Sequence, residues 1–365
     1  MTHPASGWPD RRILDLFRIA LPIIQAPMAN SSTPEMALAV CQAGGLGSIP
    51  CASMTADQAR AAVALVRAGS RGPVNLNFFC HTTPPADPAR MMGWRARLAP
   101  YYVEEGLDPA PPPPTGGRAP FDEAFCALVE ETRPEVVSFH FGLPETALLN
   151  RVRATGAKVI SSATTVAEAV WLEERGVDAV VATGFEAGGH RGAFLGLYMS
   201  TQPGTFALVP QVADAVKVPV IAAGGIADGR GIAAAFALGA SAVQIGTAYL
   251  FCPEAMVSPV QRSLLDQATD ETTQVTNLFT GRPARGVTNR LMREIGPLSA
   301  DAPAFPTAGG ALAPLRAKAE ADGRGDFTNQ WAGQAARLAP RLPAGELTRT
   351  LAAQAQAQLQ RLKGL

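Results

Sequence analysis

Eight short apolar runs, most of them followed by a polar loop and an alanine-rich stretch, constrain the fold of this chain more than any other feature of its sequence. Four of the runs begin one to three residues after a glycine, the residue that commonly ends a helix. Strand, loop and helix therefore alternate, which is typical of parallel βα units. The runs cover residues 22–28, 46–51, 74–79, 136–142, 158–163, 179–184, 219–225 and 242–250.

Eight such units predict a (β/α)8 TIM barrel, an α/β fold in which functional groups gather at the carboxyl ends of the strands. The alternative is a doubly wound open sheet. That arrangement is disfavoured because no GxGxxG pattern follows the first run. The glycines suited to binding phosphate instead follow the last two runs, at Gly224, Gly225 and Gly246.

Two segments interrupt the period of the barrel, which we expect to span residues 1–251. A proline-rich insertion at about 80–134 follows the third strand, and it contains the run Pro111 to Pro114 and a predicted helix at about 86–98. The second segment is a C-terminal extension, residues 252–365. We expect it to pack over the barrel mouth and, together with the insertion, to act as a lid.

Within the extension, residues 270–297 and 327–336 predict ordered loops that fold back over the mouth. Residues 344–363 carry leucines at helical spacing and predict a terminal amphipathic helix. Trp331 suits either a wall of the site or a position in the core or an interface. The arginines of the first loop are suited to attracting an anionic substrate or to capping helices and pairing with acids, and we expect structural roles for Arg282, Arg285 and Arg290.

Composition narrows the classes of partner. The 365 residues carry 31 acidic and 31 basic side chains, so the formal net charge is zero, which argues against nucleic acid as a partner. No run is long and apolar enough to span a bilayer, and five cysteines without CxxC spacing indicate reduced thiols rather than disulfides or a metal site. We therefore expect a cytoplasmic protein, monomeric or homodimeric, that uses no metal.

The segment AGGHRG, residues 187–192, places His190 among glycines shortly after the sixth strand. Backbone N–H groups at Gly188 and Gly189 are able to approach a ligand without a Cβ in the way, and imidazole exchanges protons near neutral pH. We therefore predict a catalytic or substrate-orienting role for His190. His140, between aromatic residues at the end of the fourth strand, is equally compatible with a catalyst and with a hydrogen-bonded core residue.

Other strand ends carry groups suited to a cofactor. Gly224 and Gly225 after the seventh strand, and residues 244–247 after the eighth, would direct backbone amides and a hydroxyl at one point, which predicts a phosphate site. Met28 offers a flexible apolar surface to a flat ring. Asn77 needs a polar partner inside the third strand, either a cofactor ring or a neighbouring strand.

Together these pieces resemble the nitronate monooxygenase family, formerly called 2-nitropropane dioxygenases, and in particular its class I. The resemblance rests on AGGHRG at 187–192, AAGGI at 222–226 and QIGT at 244–247, and further matching pieces extend it over most of the chain. It implies an FMN-containing (β/α)8 barrel that oxidises alkyl nitronates with O2, releasing nitrite and a carbonyl product and so detoxifying nitro compounds. Propionate 3-nitronate is the implied substrate.

The resemblance also implies roles for individual residues. His190 would remove a proton from a neutral nitroalkane or orient an anionic nitronate, and His140 would help to hold the nitro group. Thr183 stands where many members of the family carry a flavin-contacting glutamine, and its shorter side chain would reach the flavin through water. The implied FMN contacts at matching positions are Ala26, Met28, Asn77, Gly188, Gly225 and Gln244 through Thr247.

Three other functions fit parts of this pattern. An NAD(P)H-dependent flavin reductase acting on quinones or enoyl thioesters needs no dinucleotide fingerprint, because nicotinamide stacks on the flavin itself. A flavin-free barrel lyase or isomerase acting on a phosphorylated metabolite would use the same phosphate loops. A non-catalytic flavin-binding protein is disfavoured, because it gives a histidine beside the cofactor no purpose.

Overall fold

The computed structural model describes residues 7–109 and 119–364, and the proline run at 111–114 lies outside them. It confirms the barrel, because eight parallel strands alternate with helices along the chain. These strands are β1 (Ile23–Gln25), β2 (Gly47–Pro50), β3 (Val74–Phe79), β4 (Val136–His140), β5 (Lys158–Ala163), β6 (Ala179–Thr183), β8 (Val220–Ala223) and β9 (Ala242–Ile245). A short strand β7 lies outside the barrel and is described below.

The spatial order of the strands is β1-β9-β8-β6-β5-β4-β3-β2, and the ring closes between β1 and β2. The Leu46 N–H donates to the Ile23 carbonyl, and the Gln25 N–H donates to the Leu46 carbonyl, both at 3.0 Å. Most strand residues are buried, as expected for parallel strands covered on both faces. Closure brings all eight carboxyl ends to one mouth.

Helices cover the outside of the barrel and also form much of the insertion and the extension. Several begin at a side-chain cap: Thr33, Thr55 and Asp228 each accept a hydrogen bond from a backbone N–H of the first helical turn. Among the described residues, no helix is both long and apolar enough to cross a membrane. The helices are α1 (Arg12–Phe17), α2 (Pro34–Gln42), α3 (Ala56–Gly69), α4 (Pro88–Glu104), α5 (Glu123–Thr132), α6 (Thr146–Ala154), α7 (Val166–Glu174), α8 (Thr205–Ala215), α9 (Gly229–Ala237), α10 (Pro259–Asp266), α11 (Arg290–Ile295), α12 (Ala313–Ala321) and α13 (Ala344–Lys363).

A second, antiparallel sheet joins the extension to the loop that follows β6. It consists of β7 (Gly189–His190), β10 (Thr273–Thr276) and β11 (Ala284–Val287), in the order β10-β11-β7. His190 pairs with Ala284, and Gly189 pairs with Arg285. The extension therefore fixes the backbone of the predicted catalytic histidine directly.

Three sequence expectations need correction. The eighth strand is shorter than the run 242–250, because β9 ends at Ile245 and a 3₁₀ helix follows at Thr247–Phe251. Residues 270–297 are more than a loop, since they contain β10, β11 and α11. The helix expected at 86–98 extends to Glu104, although Pro100 lies inside it.

The terminal helix α13 has the predicted bounds but lies on the flank of the barrel. It packs against α9 and α2. Its Leu347 and Leu351 are fully buried, and the Thr348 hydroxyl lies 2.8 Å from the Tyr249 hydroxyl. The residues of the extension that line the cavity at the barrel mouth come instead from the segment around Trp331.

Candidate active site

One cavity at the mouth of the barrel brings together thirteen of the residues that the sequence predicted for a site, whereas Ile245 is buried in β9 and does not line it. Seven barrel strands or the loops that follow them contribute to it, and Trp331, Gly333 and Ala335 of the extension line it as well. Since these residues are distant in sequence, only closure of the barrel explains their meeting. The predicted residues that line the cavity are Ala26, Met28, Asn77, His140, Thr183, Gly188, Gly189, His190, Gly224, Gly225, Gln244, Gly246 and Thr247.

One part of the cavity, which we call the glycine end, is formed by Gly224, Gly225, Gly246 and Thr247. Gly224 and Gly225 have φ angles of +102° and +69°, a region that favours glycine. Among the described residues, no acceptor takes a hydrogen bond from the backbone N–H of Gly225 or Gly246. The Thr247 hydroxyl accepts from the Gly333 N–H at 2.9 Å. The glycine end is thus a backbone surface suited to an anion.

Two side-chain amides line the cavity, and they differ in whether they have a hydrogen-bond partner among the described residues. Asn77 donates from Nδ2 to the Ser138 hydroxyl at 2.9 Å and to the Ser138 carbonyl at 3.2 Å, so it has the neighbouring-strand partner that the sequence left open. Gln244 is half-buried in β9, and its side chain forms no hydrogen bond within the described part of the chain. Its amide is therefore suited to the polar edge of a ligand.

His190 is oriented by a hydroxyl of the extension. Its Nε2 lies 2.9 Å from Thr280 Oγ1, and that hydroxyl in turn donates to the Arg282 carbonyl at 3.3 Å. If the single proton of the hydroxyl goes to the carbonyl, the hydroxyl accepts from His190, and the proton of a neutral ring is on Nε2. The lone pair of the imidazole then lies on Nδ1.

Aromatic rings surround His190 on several sides, and we call Phe79, Phe141, Phe305 and Trp331 the aromatic end. Their ring centroids lie 6.3, 6.1, 5.3 and 5.4 Å from the imidazole centroid. Phe79, Phe141 and Phe305 are also buried against one another. Trp331 is thus a wall of the site, one of the two roles that its sequence allowed.

His140 links the barrel to β7. Its Nδ1 lies 2.7 Å from the Ser162 hydroxyl, and its Nε2 lies 3.3 Å from the His190 carbonyl. If Nε2 donates to that carbonyl, Nδ1 accepts from the serine, so both ring nitrogens are engaged in a neutral ring. The side chain lines the cavity and at the same time holds the backbone of His190.

Sequence reasoning missed a buried network around Arg191, whose side chain is fully buried. Its guanidinium donates to the carbonyls of Thr183 and Gly184 at 2.8 and 2.6 Å, and to Gln202 Oε1 at 2.8 Å. Burial lowers the pKa of Arg191 to about 10. The network ties the residue after His190 to the end of β6, and an arginine inside a glycine-rich loop was its only signal in the sequence.

The remaining predicted residues have partners within the protein. Thr183 donates from Oγ1 to the Val181 carbonyl at 3.3 Å and also lines the cavity. Arg285 donates to the Phe185 and Thr273 carbonyls. The remaining arginine, Arg290, forms ion pairs at 2.7 and 2.8 Å with two glutamates, Glu104 and Glu294.

A family model and two relatives identify the same family. The family model described as nitronate monooxygenase matches residues 10–354. A nitronate monooxygenase of Paraburkholderia phytofirmans is 43% identical over 97% of both chains, and one of Pseudomonas aeruginosa is 44% identical over 93% of this chain and 97% of its own. The crystal structure of a nitroalkane oxidase from Streptomyces ansochromogenes superimposes with a TM-score of 0.87 at 37% identity, covering 96% of this chain and 99% of the other.

Proposed function

Because this chain belongs to the nitronate monooxygenase family, we propose that its cavity binds FMN and that it oxidises alkyl nitronates with O2. The products are nitrite and a carbonyl compound, and propionate 3-nitronate is the proposed substrate, so that the reaction detoxifies nitro compounds. The observation that carries this proposal is the meeting in one cavity of thirteen residues that the motifs predicted. We also propose that the protein works in the cytoplasm.

The residues of the cavity fit FMN. Gly225 and Gly246 offer N–H groups without an acceptor among the described residues, as a phosphate requires. Gln244 offers an amide without a partner, which suits the polar edge of the flavin ring. A Cβ at Gly189 would meet no atom within 4 Å, so the backbone there borders open space. Ala26 and Met28 supply an apolar wall for a flat ring.

In this proposal the protein supplies placement and electrostatics, while bound FMN supplies the electron transfer between the nitronate and O2. His190 acts at Nδ1, which takes a proton from the α-carbon of a neutral nitroalkane. The Thr280 hydroxyl holds the opposite nitrogen, so the ring keeps the tautomer that leaves Nδ1 basic. With a nitronate the proton is already gone, and His190 orients the anion.

The other residues of the cavity support His190 and the bound FMN. His140 Nε2 lies 3.3 Å from the His190 carbonyl and so fixes β7. Because both ring nitrogens are engaged, we assign His140 a positioning role in preference to direct contact with the nitro group. The aromatic end excludes water from the space beside His190, which strengthens electrostatic interactions there. Thr183 would reach the flavin through water, and we propose that the insertion and the extension together form the lid over the mouth.

The experiment purifies the protein and measures two quantities. Mass spectrometry of the cofactor released by heat identifies FMN, and nitrite formed with O2 consumed from propionate 3-nitronate reports the reaction. We expect FMN and nitrite together. A colourless protein would point to a flavin-free lyase or isomerase, and a yellow protein that forms no nitrite but oxidises NADPH would point to a flavin reductase; either result would contradict the proposal.

A further inference from the structure

Arg282 lies half-buried beside the aromatic end and has no ion-pair partner in the described part of the chain. Its guanidinium carbon is 4.0 Å from the centroid of the Phe141 ring, and that ring is 6.1 Å from His190. Its Nη2 donates to the Ala193 carbonyl. Its own carbonyl accepts from Thr280, the residue that orients His190. Both ends of Arg282 are therefore tied to the surroundings of His190.

The charge of Arg282 has no counterion in the described part of the chain. No carboxylate oxygen there lies within 4.0 Å of its guanidinium, and its Nε is buried without a hydrogen-bond partner. Arg290 in the same segment is a contrast, since it pairs with both Glu104 and Glu294. Burial lowers the pKa of Arg282 to about 10, which still leaves a cation at neutral pH.

The buried carboxylate that acts on Arg282 is fully engaged elsewhere. Glu168 is buried, and its Oε2 accepts from the N–H and hydroxyl of Thr164 at 2.7 and 2.8 Å. Its Oε1 accepts from the N–H groups of Phe194 and Leu195 at 2.6 and 3.2 Å. Glu168 therefore moderates the field of the arginine without pairing with it. A cation held in this way costs free energy that a bound anion would offset.

We propose that Arg282 is a specificity-determining residue, which acts through its charge at the aromatic end and favours substrates that carry an anionic group there. Arg282 does not line the cavity, so the effect is electrostatic and is transmitted past Phe141 rather than by a direct hydrogen bond. The inference rests on the proposed function, because it concerns which nitronates the enzyme prefers. A nitronate with a carboxylate on its chain gains more from this charge than one with an uncharged chain.

The test compares two nitronates of nearly the same shape. Propionate 3-nitronate carries a carboxylate where the nitronate of 1-nitro-3-methylbutane carries an isopropyl group. Three variants are made: Arg282→Met removes the charge, Arg282→Lys keeps it, and Arg290→Met removes a paired arginine as the matched control. Steady-state kinetics give kcat and KM for each substrate, and thermal unfolding shows that each variant is folded.

We expect Arg282→Met to lower kcat/KM for propionate 3-nitronate about tenfold more than for the uncharged nitronate, mainly through KM; tenfold corresponds to about 1.4 kcal/mol. Arg282→Lys should keep most of the preference, and Arg290→Met should leave the ratio of the two substrates unchanged. Equal losses on both substrates, or a lysine variant as poor as the methionine variant, would show that Arg282 only holds the loop at Ala193.

A binding experiment separates failure of this inference from failure of the proposed function. Calorimetry without O2 measures the dissociation constants of 3-nitropropionate and 1-nitro-3-methylbutane for the wild type and Arg282→Met. A preference for the carboxylate compound that the variant loses supports the inference, even if the wild type oxidises neither nitronate and the proposed function fails. No preference in the wild type overturns the inference, even if both nitronates are oxidised.

Discussion

The glycine end of the cavity is built from backbone, whereas the aromatic end is built from side chains. Gly224, Gly225 and Gly246 belong to the loops after β8 and β9, which are neighbours in the barrel. The aromatic end joins the barrel residue Phe79 to Phe305 and to Trp331 of the extension. In the proposed function, the barrel binds the cofactor, and the extension shapes the space beside it, where a substrate would react.

If this division holds, replacing His190 changes substrate chemistry and leaves cofactor binding intact. We expect His190→Asn to lower turnover of a neutral nitroalkane about 10²- to 10⁴-fold, the usual contribution of a general base. The matching nitronate, whose proton is already removed, should lose much less. The measurement is kcat/KM for nitroethane and for ethyl nitronate with flavin content determined in parallel. Equal losses on the two substrates would refute the base role.

A change at the glycine end should weaken cofactor binding and leave the substrate preference unchanged. In Gly224→Val the new Cβ would lie 2.9 Å from Thr205 Oγ1 and 3.1 Å from the Gly184 carbonyl, at a φ of +102°. The left-handed backbone alone costs about 1–2 kcal/mol. We expect a lower melting temperature and weaker retention of FMN, measured by thermal unfolding with and without added FMN.

The control for this variant is Gly93→Ala in the exposed middle of α4. A Cβ there meets no atom within 4 Å, so the change should stabilise the fold by about 0.5–1 kcal/mol and leave FMN retention unchanged. If Gly224→Val retains FMN as the wild type does, the glycine end does not bind the cofactor. Whether or not it retains FMN, the Gly224→Val variant should keep the wild-type preference between nitroalkane and nitronate.

The smallest effect is expected at Thr280, which orients His190 from outside the cavity. Thr280→Val keeps the shape but removes the hydroxyl bonded to Nε2, and a hydrogen bond of this kind contributes about 1 kcal/mol. We expect kcat/KM for a nitroalkane to fall about fivefold, with Thr280→Ser restoring it. The pH profile of kcat/KM should change in the valine variant only. A serine variant as impaired as the valine variant would contradict the orienting role.

The sequence predicted the two ends unequally, for a physical reason. Apolar runs and the glycines at their ends are local signals, so β3 and β5 were predicted to the residue and the glycine end in full. The strand β7 has two residues and owes its existence to pairing with β11, about a hundred positions later. No local pattern records such a contact.

The same limit applies to individual side chains. Thr280 carries no signal of its role, and Arg191 carries only its position in a glycine-rich loop, because their partners are a histidine and two carbonyls that only the fold brings near. The run at 242–250 was predicted too long because Tyr249 and Leu250 are as apolar as strand residues, although they belong to a 3₁₀ helix. Apolar periodicity reports burial, and burial alone does not distinguish a short strand from a tight helical turn.

One measurement tests the central claim most directly. The purified protein is mixed rapidly, without O2, with propionate 3-nitronate and separately with NADPH, while the visible absorbance of the bound flavin is followed. The account predicts rapid bleaching by the nitronate and none by NADPH. Bleaching by NADPH with no response to the nitronate would contradict it, because the cavity around His190 would then serve a flavin reductase.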